Sequence, residues 1–305
     1  MTLLALYDVA APAKLNLFLH VVGRRADGYH LLQSLFVLID WCDTLQFELR
    51  RDSTLARHDL NTTLPADDLC LRAARALQAA SGTVLGADIS IDKQVPWGAG
   101  MGGGSSDAAS TLLALNRLWG LNWPRSRLLS LGLTLGADVP FFLGGQHALV
   151  EGIGERLTPV ALPQQWLAVL KPAASIETRA IFASPLLVCG SEAAIIESLS
   201  ANAQLASPHL ESVCAWKEPG YGRNDLQPPA EAECPQVAQA AAVLHKVFGN
   251  SRMTGSGSAV FARAGSVAKA IDEPAAAMPV ELAPGWVGRM CRSLVEHPLV
   301  GWAED

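Results

Sequence analysis

Apolar and polar positions fall into two periods along the chain, and the first half opens in the shorter one. Val9 to Val22 reads as a strand pair with polar interruptions, Leu31 to Ile39 as an apolar strand, and Asp43 to Leu49 (DTLQFEL) as an alternating strand. Leu69 to Ala80 carries Leu and Ala at helical spacing, and Ala87 to Val95 (ADISIDKQV) alternates Ile89, Ile91 and Lys93 as a half-buried strand does. The stretch that follows, VPWGAGMGGGSSDAASTLLALNRLWG, passes from Pro and glycines into a run with Ala108, Thr111, Leu112, Leu115 and Leu118 or Trp119 on one helical face. A strand, a glycine loop and a helix are expected in that order. Arg127 to Gly136 reads as a shorter helix, with Gly136 in the positive φ of a C-terminal cap.

Pro159, Pro163 and Pro172 bracket the strand-like WLAVL from Trp166 to Leu170, which puts a domain boundary near residue 160. Beyond it helices (Glu192 to Ser200, Val237 to Phe248) mix with strands (Ser258 to Ala262), so the pattern predicts two α+β domains, 1–160 and 161–305. Apolar residues make up 50% of the 305 and charged ones 17%, enough to bury about three quarters of the unfolded surface and to exclude a disordered chain. A net charge of -6 gives no long-range attraction for nucleic acid or anionic lipid. Neither is expected as a partner, and an anionic ligand has to be held by a local field.

The longest uncharged stretch, Leu157 to Leu170, contains two prolines and falls short of the about 20 residues a membrane span needs. The N-terminal MTLLALYDVA has no basic leader or cleavage site and is interrupted by Asp8, so a cytoplasmic protein is expected. Cys42, Cys70, Cys189, Cys214, Cys234 and Cys291 are widely spaced with no C-x-x-C pair, and are expected as reduced core thiols.

Glycines 98, 100, 102, 103 and 104 let the backbone take positive φ and approach a ligand, and the helix after them aims free N–H groups at the same space. That geometry suits phosphate, and Ser105 and Ser106 add hydroxyls able to donate to it or to ligate a divalent cation. Gly98, Gly100 and Gly103 satisfy G-x-G-x-x-G, yet no acidic residue follows between Asp107 and Asp138 to take a ribose hydroxyl. Ser105 stands where a Walker A loop places Lys, and H-R-D is absent.

Pro96 to Ala109, PWGAGMGGGSSDAA, resembles the P-x-x-x-G-L-G-S-S-A signature of the galactokinase, homoserine kinase, mevalonate kinase and phosphomevalonate kinase superfamily, with Met101 in place of Leu. APAKLNLFLHV (Ala11 to Val21) and RMTGSGSAVFA (Arg252 to Ala262) fit the same superfamily in the same order. PAKLNL, RRADGYHLLQSLF (Arg24 to Phe36), the GGGSS loop and LGADVPFFL (Leu135 to Leu143) resemble its branch acting on a cytidine diphosphate-linked methylerythritol. The resemblance weakens between Leu186 and Pro235. It implies a two-domain small-molecule kinase that uses ATP and Mg2+ to phosphorylate the tertiary 2-hydroxyl, a step of non-mevalonate isoprenoid synthesis.

Asp138, in GADVP, is the candidate proton acceptor, since a carboxylate within about 3 Å of an alcohol accepts its proton in phosphoryl transfer; its bland alternative is an Asx turn before Pro140. Lys14, in a strand-like apolar context, is the candidate ammonium beside Asp138 and the transferring group, or else a surface lysine. ATP is expected on Pro96, Gly98, Gly100, Gly102, Gly103, Gly104, Ser105 and Ser106.

The resemblance implies Asn16 as the contact to the substrate hydroxyl, Tyr29 as the platform under the cytosine and His30 as the donor or acceptor at its edge. It further implies Phe182, which alone would read as core, as the opposing aromatic with Thr178 nearby. Gly255 and Gly257 are expected to pack against the phosphate loop or the substrate diphosphate. Ser105, Ser106 and Asp138 are candidate magnesium ligands, left unassigned. The rival readings are a superfamily kinase of another alcohol such as mevalonate or homoserine, a nicotinamide-dependent oxidoreductase, and a non-catalytic nucleotide-binding module.

Overall fold

The computed structural model describes residues 3–190, 222–265, 274, 276–279 and 281–305. Residues 5–50 form one long antiparallel ribbon, β1 (Ala5–Arg24) against β2 (His30–Arg50). The expected strand pair is thus a single strand, and the two strands expected at Leu31 to Ile39 and Asp43 to Leu49 are one. The polar interruptions coincide with register shifts between Leu6/Val9, Pro12/Lys14, Asn16/Leu19 and Val21/Gly23. Such bulges bend a strand without ending its pairing, and they accommodate a proline that cannot donate.

Next in the chain come β3 (Leu55–Asp59), α1 (Leu69–Ser81), β4 (Gly86–Asp92), α2 (Gly103–Leu118), α3 (Arg125–Leu135) and α4 (Val139–Gly144), then β5 (Ala148–Gly152) and β6 (Arg156–Pro159). The strands build a sheet in the order β3-β4-β2-β5-β6, with β1 paired to β2 beside that path. Ile89 and Ile91 of β4 and Leu45 and Phe47 of β2 meet Leu77, Leu112 and Phe141 of the helices in one buried cluster. Each such side chain contributes about 1.5–3 kcal/mol.

α2 is buried almost all round rather than on one face, because α1, α3, α4 and the ribbon enclose it. Its polar Asp107, Ser110, Thr111 and Asn116 are therefore inside. Gly136 is the C-cap of α3, its amide donating to the Gly132 carbonyl at 3.2 Å, but at φ 173 it is extended, without the positive φ expected there.

β7 (Trp166–Lys171), α5 (Thr178–Phe182), α6 (Gln227–Glu233), α7 (Pro235–Phe248), β8 (Arg252–Met253), β9 (Val260–Arg263) and β10 (Val287–Arg292) follow. Their strands form a second, antiparallel sheet in the order β10-β7-β9-β8. Leu15, Val37 and Trp41 of the ribbon pack with Leu167, Val169 and Phe261, so a shared core joins the two sheets. The chain's last residues cross back: Leu299 and Ala303 join the first cluster, and Arg125 donates to the carbonyls of Leu143 and Ala303 at 2.5 and 2.6 Å.

The α+β expectation holds. The expected helix at Glu192 to Ser200 and Cys214 lie outside the described residues. Cys70, Cys234 and Cys291 are buried and Cys42 half-buried, whereas Cys189, in the loop after α5, is exposed and is not a core thiol.

Candidate functional site

The glycine loop leaves β4, crosses a cavity of about 300 Å³ and enters α2. That cavity is lined by Leu69, Lys93, Val95, Pro96 and Trp97 and by the loop and helix start from Gly98 to Ser105. Ser106 lies outside this lining and is fully buried. Gly102 is the N-cap of α2 at φ 71, with no side-chain cap, so the first amides of a 16-residue helix stay free for an anion. Gly103 and Gly104 already belong to that first turn.

Gly100 also stands at positive φ, and a Cβ there would come within 2.4 Å of the Thr254 carbonyl oxygen. That close approach belongs to a junction of two loops. The amides of Ser258 and Ala259 donate to the carbonyls of Gly98 and Ala99, both at 3.2 Å. A Cβ on Gly255 would strike the Gly100 carbonyl at 2.6 Å, so Gly255 packs on the glycine loop as expected. Gly257 is also next to it, its amide 3.0 Å from where a Gly100 Cβ would lie.

Lys14 is 3% exposed and not a surface lysine. Its ammonium donates to Asn16 Oδ1 at 2.6 Å, stands 3.7 Å from Asp138 Oδ2, and lies 4.4 Å over the Phe36 ring. Alternation along β1 puts Lys14 and Asn16 on the same face. Burial pulls the Lys14 ammonium below its ordinary value, against the attraction of Asp138. Asp138 precedes α4 without capping it, and its side chain is 33% exposed, which leaves a carboxylate open to a ligand. The Lys14 amide donates to the Met101 carbonyl at 2.9 Å, so the same residue fastens the glycine loop to the strand.

Arg25 to Gly28 form the turn between β1 and β2, and Tyr29 projects from it 61% exposed. His30 starts β2 and stacks on Phe182 of α5, ring centroids 5.2 Å apart and 29° from parallel. Phe182 is half-buried, with one face already covered by His30. Thr178, at the other end of α5, shares a hydrogen bond of 2.7 Å with Ser256 of the third loop. Lys14 thereby touches Asn16 and stands near Asp138, and His30 meets Phe182 at the turn end of the ribbon, with Tyr29 next to His30 in the chain and Thr178 on the same helix as Phe182.

Pattern reading missed several groups that hold these in place. Ser34 accepts from Asn16 Nδ2 at 2.9 Å, and Thr254 Oγ1 accepts the Asn16 amide at 2.9 Å. Asn224 donates to the carbonyls of Met253 and Gly255 at 2.9 and 2.8 Å and so shapes the third loop. Asp43, Lys93 and Asp107 form a buried ion cluster under the glycine loop. One signal was available: Asp43 shares its strand face with Leu45 and Phe47 and so had to be inside.

Residues 68–146 match the family model described as GHMP kinases N terminal domain. The chain is 64% identical to 4-diphosphocytidyl-2-C-methyl-D-erythritol kinase of Methylibium petroleiphilum over 99% of this chain and 100% of that one. It is 56% identical to the protein of the same name from Variovorax paradoxus, over 98% and 99%. Among solved structures it resembles 4-(cytidine 5'-diphospho)-2C-methyl-D-erythritol kinase, at 36% identity and TM-score 0.66 over 84% of this chain and 89% of that one. Homoserine kinase from Cytophaga hutchinsonii shares the fold, with TM-score 0.68 at 15% identity over 97% and 96%. The fold, the glycine cradle and these full-length likenesses agree: the chain belongs to the 4-diphosphocytidyl-2-C-methyl-D-erythritol kinase family.

Proposed function

We propose that the chain catalyses ATP-dependent phosphorylation of the 2-hydroxyl of 4-(cytidine 5'-diphospho)-2-C-methyl-D-erythritol, in the cytoplasm, as a step of non-mevalonate isoprenoid biosynthesis. The observation that carries this reading is the cluster of Lys14, Asn16 and Asp138 beside a glycine cradle that opens on an uncapped helix start. The names of the full-length relatives support the acceptor. ATP lies on the part of the chain before residue 160, its phosphates along Gly98 to Ser105 and its base and ribose against Leu69, Val95, Pro96 and Trp97. The acceptor lies between this part and the domain of 161–305, its cytosine on the exposed ring of Tyr29 beside the stacked His30–Phe182 pair.

In the transfer, the acceptor oxygen bonds to the γ-phosphorus while that atom's bond to the β,γ-bridging oxygen breaks, and ADP leaves with the electron pair. The hydroxyl proton passes to the Asp138 carboxylate, Asn16 orients the hydroxyl, and the Lys14 ammonium stabilises the charge on the transferring oxygens.

Among the described residues no group of three or more His, Cys, Asp or Glu forms a metal cage. A magnesium ion held mainly by phosphate oxygens and water needs only one or two protein donors. Ser105 and Ser106 in the first turn of α2, the latter's hydroxyl buried without a hydrogen-bond partner, and Asp138 are the candidates. When bound, the ion disperses the charge of the β- and γ-phosphates.

Incubating the protein with ATP, magnesium and a panel of the cytidyl compound, mevalonate and homoserine, followed by mass spectrometry, tests the reading. One phosphoryl group gained by the cytidyl compound alone is expected. Transfer to another alcohol instead overturns the acceptor, and no ADP with any of them overturns the kinase.

A further inference from the structure

Beneath the glycine cradle, Asp43 of β2, Lys93 just past β4 and Asp107 of α2 have side chains 0%, 7% and 3% exposed. The Lys93 ammonium bonds Asp43 Oδ2 and, at 2.6 Å, Asp107 Oδ2. The other oxygen of Asp43 accepts the amides of Gln94 and Val95 at 2.6 and 2.7 Å. Three segments are thus tied at one point: the strand below, the chain entering the cradle, and the helix whose free amides close it. Lys93 also lines the nucleotide cavity, and a Cβ on Gly103 would stand 3.5 Å from Asp43 Oδ2.

Burial pulls Lys93 down, and the two carboxylates outweigh it, leaving the ammonium above its ordinary value. Burial and the neighbouring Asp43 push the Asp107 carboxyl up, against Lys93. Such a cluster is weak evidence for stability, because well-packed apolar residues often replace buried ion pairs without loss. What it supplies is a fixed relative position, since the three side chains are nearly enclosed and the charges have one another as partners.

We propose that Lys93 is a positioning residue for the nucleotide: bridging Asp43 and Asp107, it is the strut that sets the distance between the exit of β4 and the first turns of α2, and so the shape of the cradle that receives a triphosphate. This rests on the ATP reading above. Small misplacements of a binding loop are costly, so the effect falls on nucleotide binding first.

The test is calorimetric titration with the β,γ-imido analogue of ATP and magnesium, without acceptor, on the native chain, on Asp107→Asn and on Lys93→Met/Asp107→Asn. The double variant keeps the net charge of the cluster and the Asp43 bonds to Gln94 and Val95 while removing the bridge. Asp107→Asn is isosteric and loosens only one leg.

The analogue's Kd should rise about threefold in Asp107→Asn and about tenfold or more in the double variant. The KM for ATP should rise in parallel while the KM for the alcohol acceptor stays, a split that a general loosening of the fold does not produce. Native affinity in Asp107→Asn and in a folded double variant overturns the strut. Should the double variant not fold, Asp107→Asn alone decides. No binding of the analogue by the native chain overturns the ATP reading instead.

Discussion

Acidification from pH 7 to pH 5 should destabilise the fold through two buried imidazoles. His147 and His297 are 2% and 1% exposed. Nδ1 of His147 accepts the Leu38 amide at 3.2 Å and Nδ1 of His297 the Leu299 amide at 3.1 Å, and a doubly protonated ring accepts at neither nitrogen. Burial pushes both from 6.5 to about 4, with Arg125 adding to the effect on His297. Unfolded, the rings return to their ordinary value, so below about pH 6.5 the unfolded chain takes up protons that the native one refuses. Their contribution to stability is full above that pH and lost as the pH falls toward about 4.

Between pH 7 and pH 5 the loss works out to about 2 kcal/mol per ring and about 4 for the two. That is a large share of a total stability of about 5–15 kcal/mol. Urea unfolding at a series of pH values, followed by the fluorescence of the eight tryptophans, reads it directly. His297→Asn keeps an acceptor for the Leu299 amide but removes one titrating ring, so its stability should fall about half as steeply with pH. Equal unfolding free energies at pH 7 and pH 5, or an unchanged slope in His297→Asn, would refute the reasoning.

Asp138→Asn should lower kcat by about a hundredfold or more and leave the affinity for the ATP analogue within about threefold, measured by steady-state kinetics and calorimetry. Gly100→Ala should raise the KM for ATP by about tenfold or more, since a residue at φ 71 pays about 1–2 kcal/mol and its methyl group would drive the Thr254 carbonyl away from 2.4 Å. Tyr29→Ala should raise the KM for the cytidyl acceptor by about tenfold, the loss of one stacked base, and leave the KM for ATP unchanged. An unaltered acceptor KM would remove Tyr29 from the base site.

Local patterns carried the parts of this molecule whose neighbours in space are neighbours in sequence. The strand, glycine loop and helix around residues 86–118 are legible because period, glycine content and helix start all fall within one window. The ribbon was read in pieces, because a bulge and a strand end look alike where polar residues interrupt an apolar run, as at Lys14 and Asn16. Gly136 drew a capping reading from composition, yet the chain turns there in extended backbone. Lys93 and Asp107 face each other only because α2 folds back over the exit of β4, a relation no spacing encodes. Thr254 reaches Asn16 across most of the chain, and only the resemblance of RMTGSGSAVFA to a known loop pointed to that segment.

The alternation of the ribbon explains where the site lies. In an antiparallel pair every second amide points away from the partner strand, and two such amides of β1, at Lys14 and Asn16, reach the loops. The Lys14 amide takes the Met101 carbonyl of the glycine loop, and the Asn16 amide takes Thr254 Oγ1 at the start of the third loop. The two loops then bond each other through Ser258 to Gly98 and Ala259 to Ala99. Both loops are thus registered on the backbone of the residues whose side chains face Asp138. On the proposed reading, a displacement of either loop reaches the backbone of Lys14 and Asn16 and so bears on the alignment of the reacting groups and on kcat, while the base site around Tyr29 that sets the acceptor's KM is left in place.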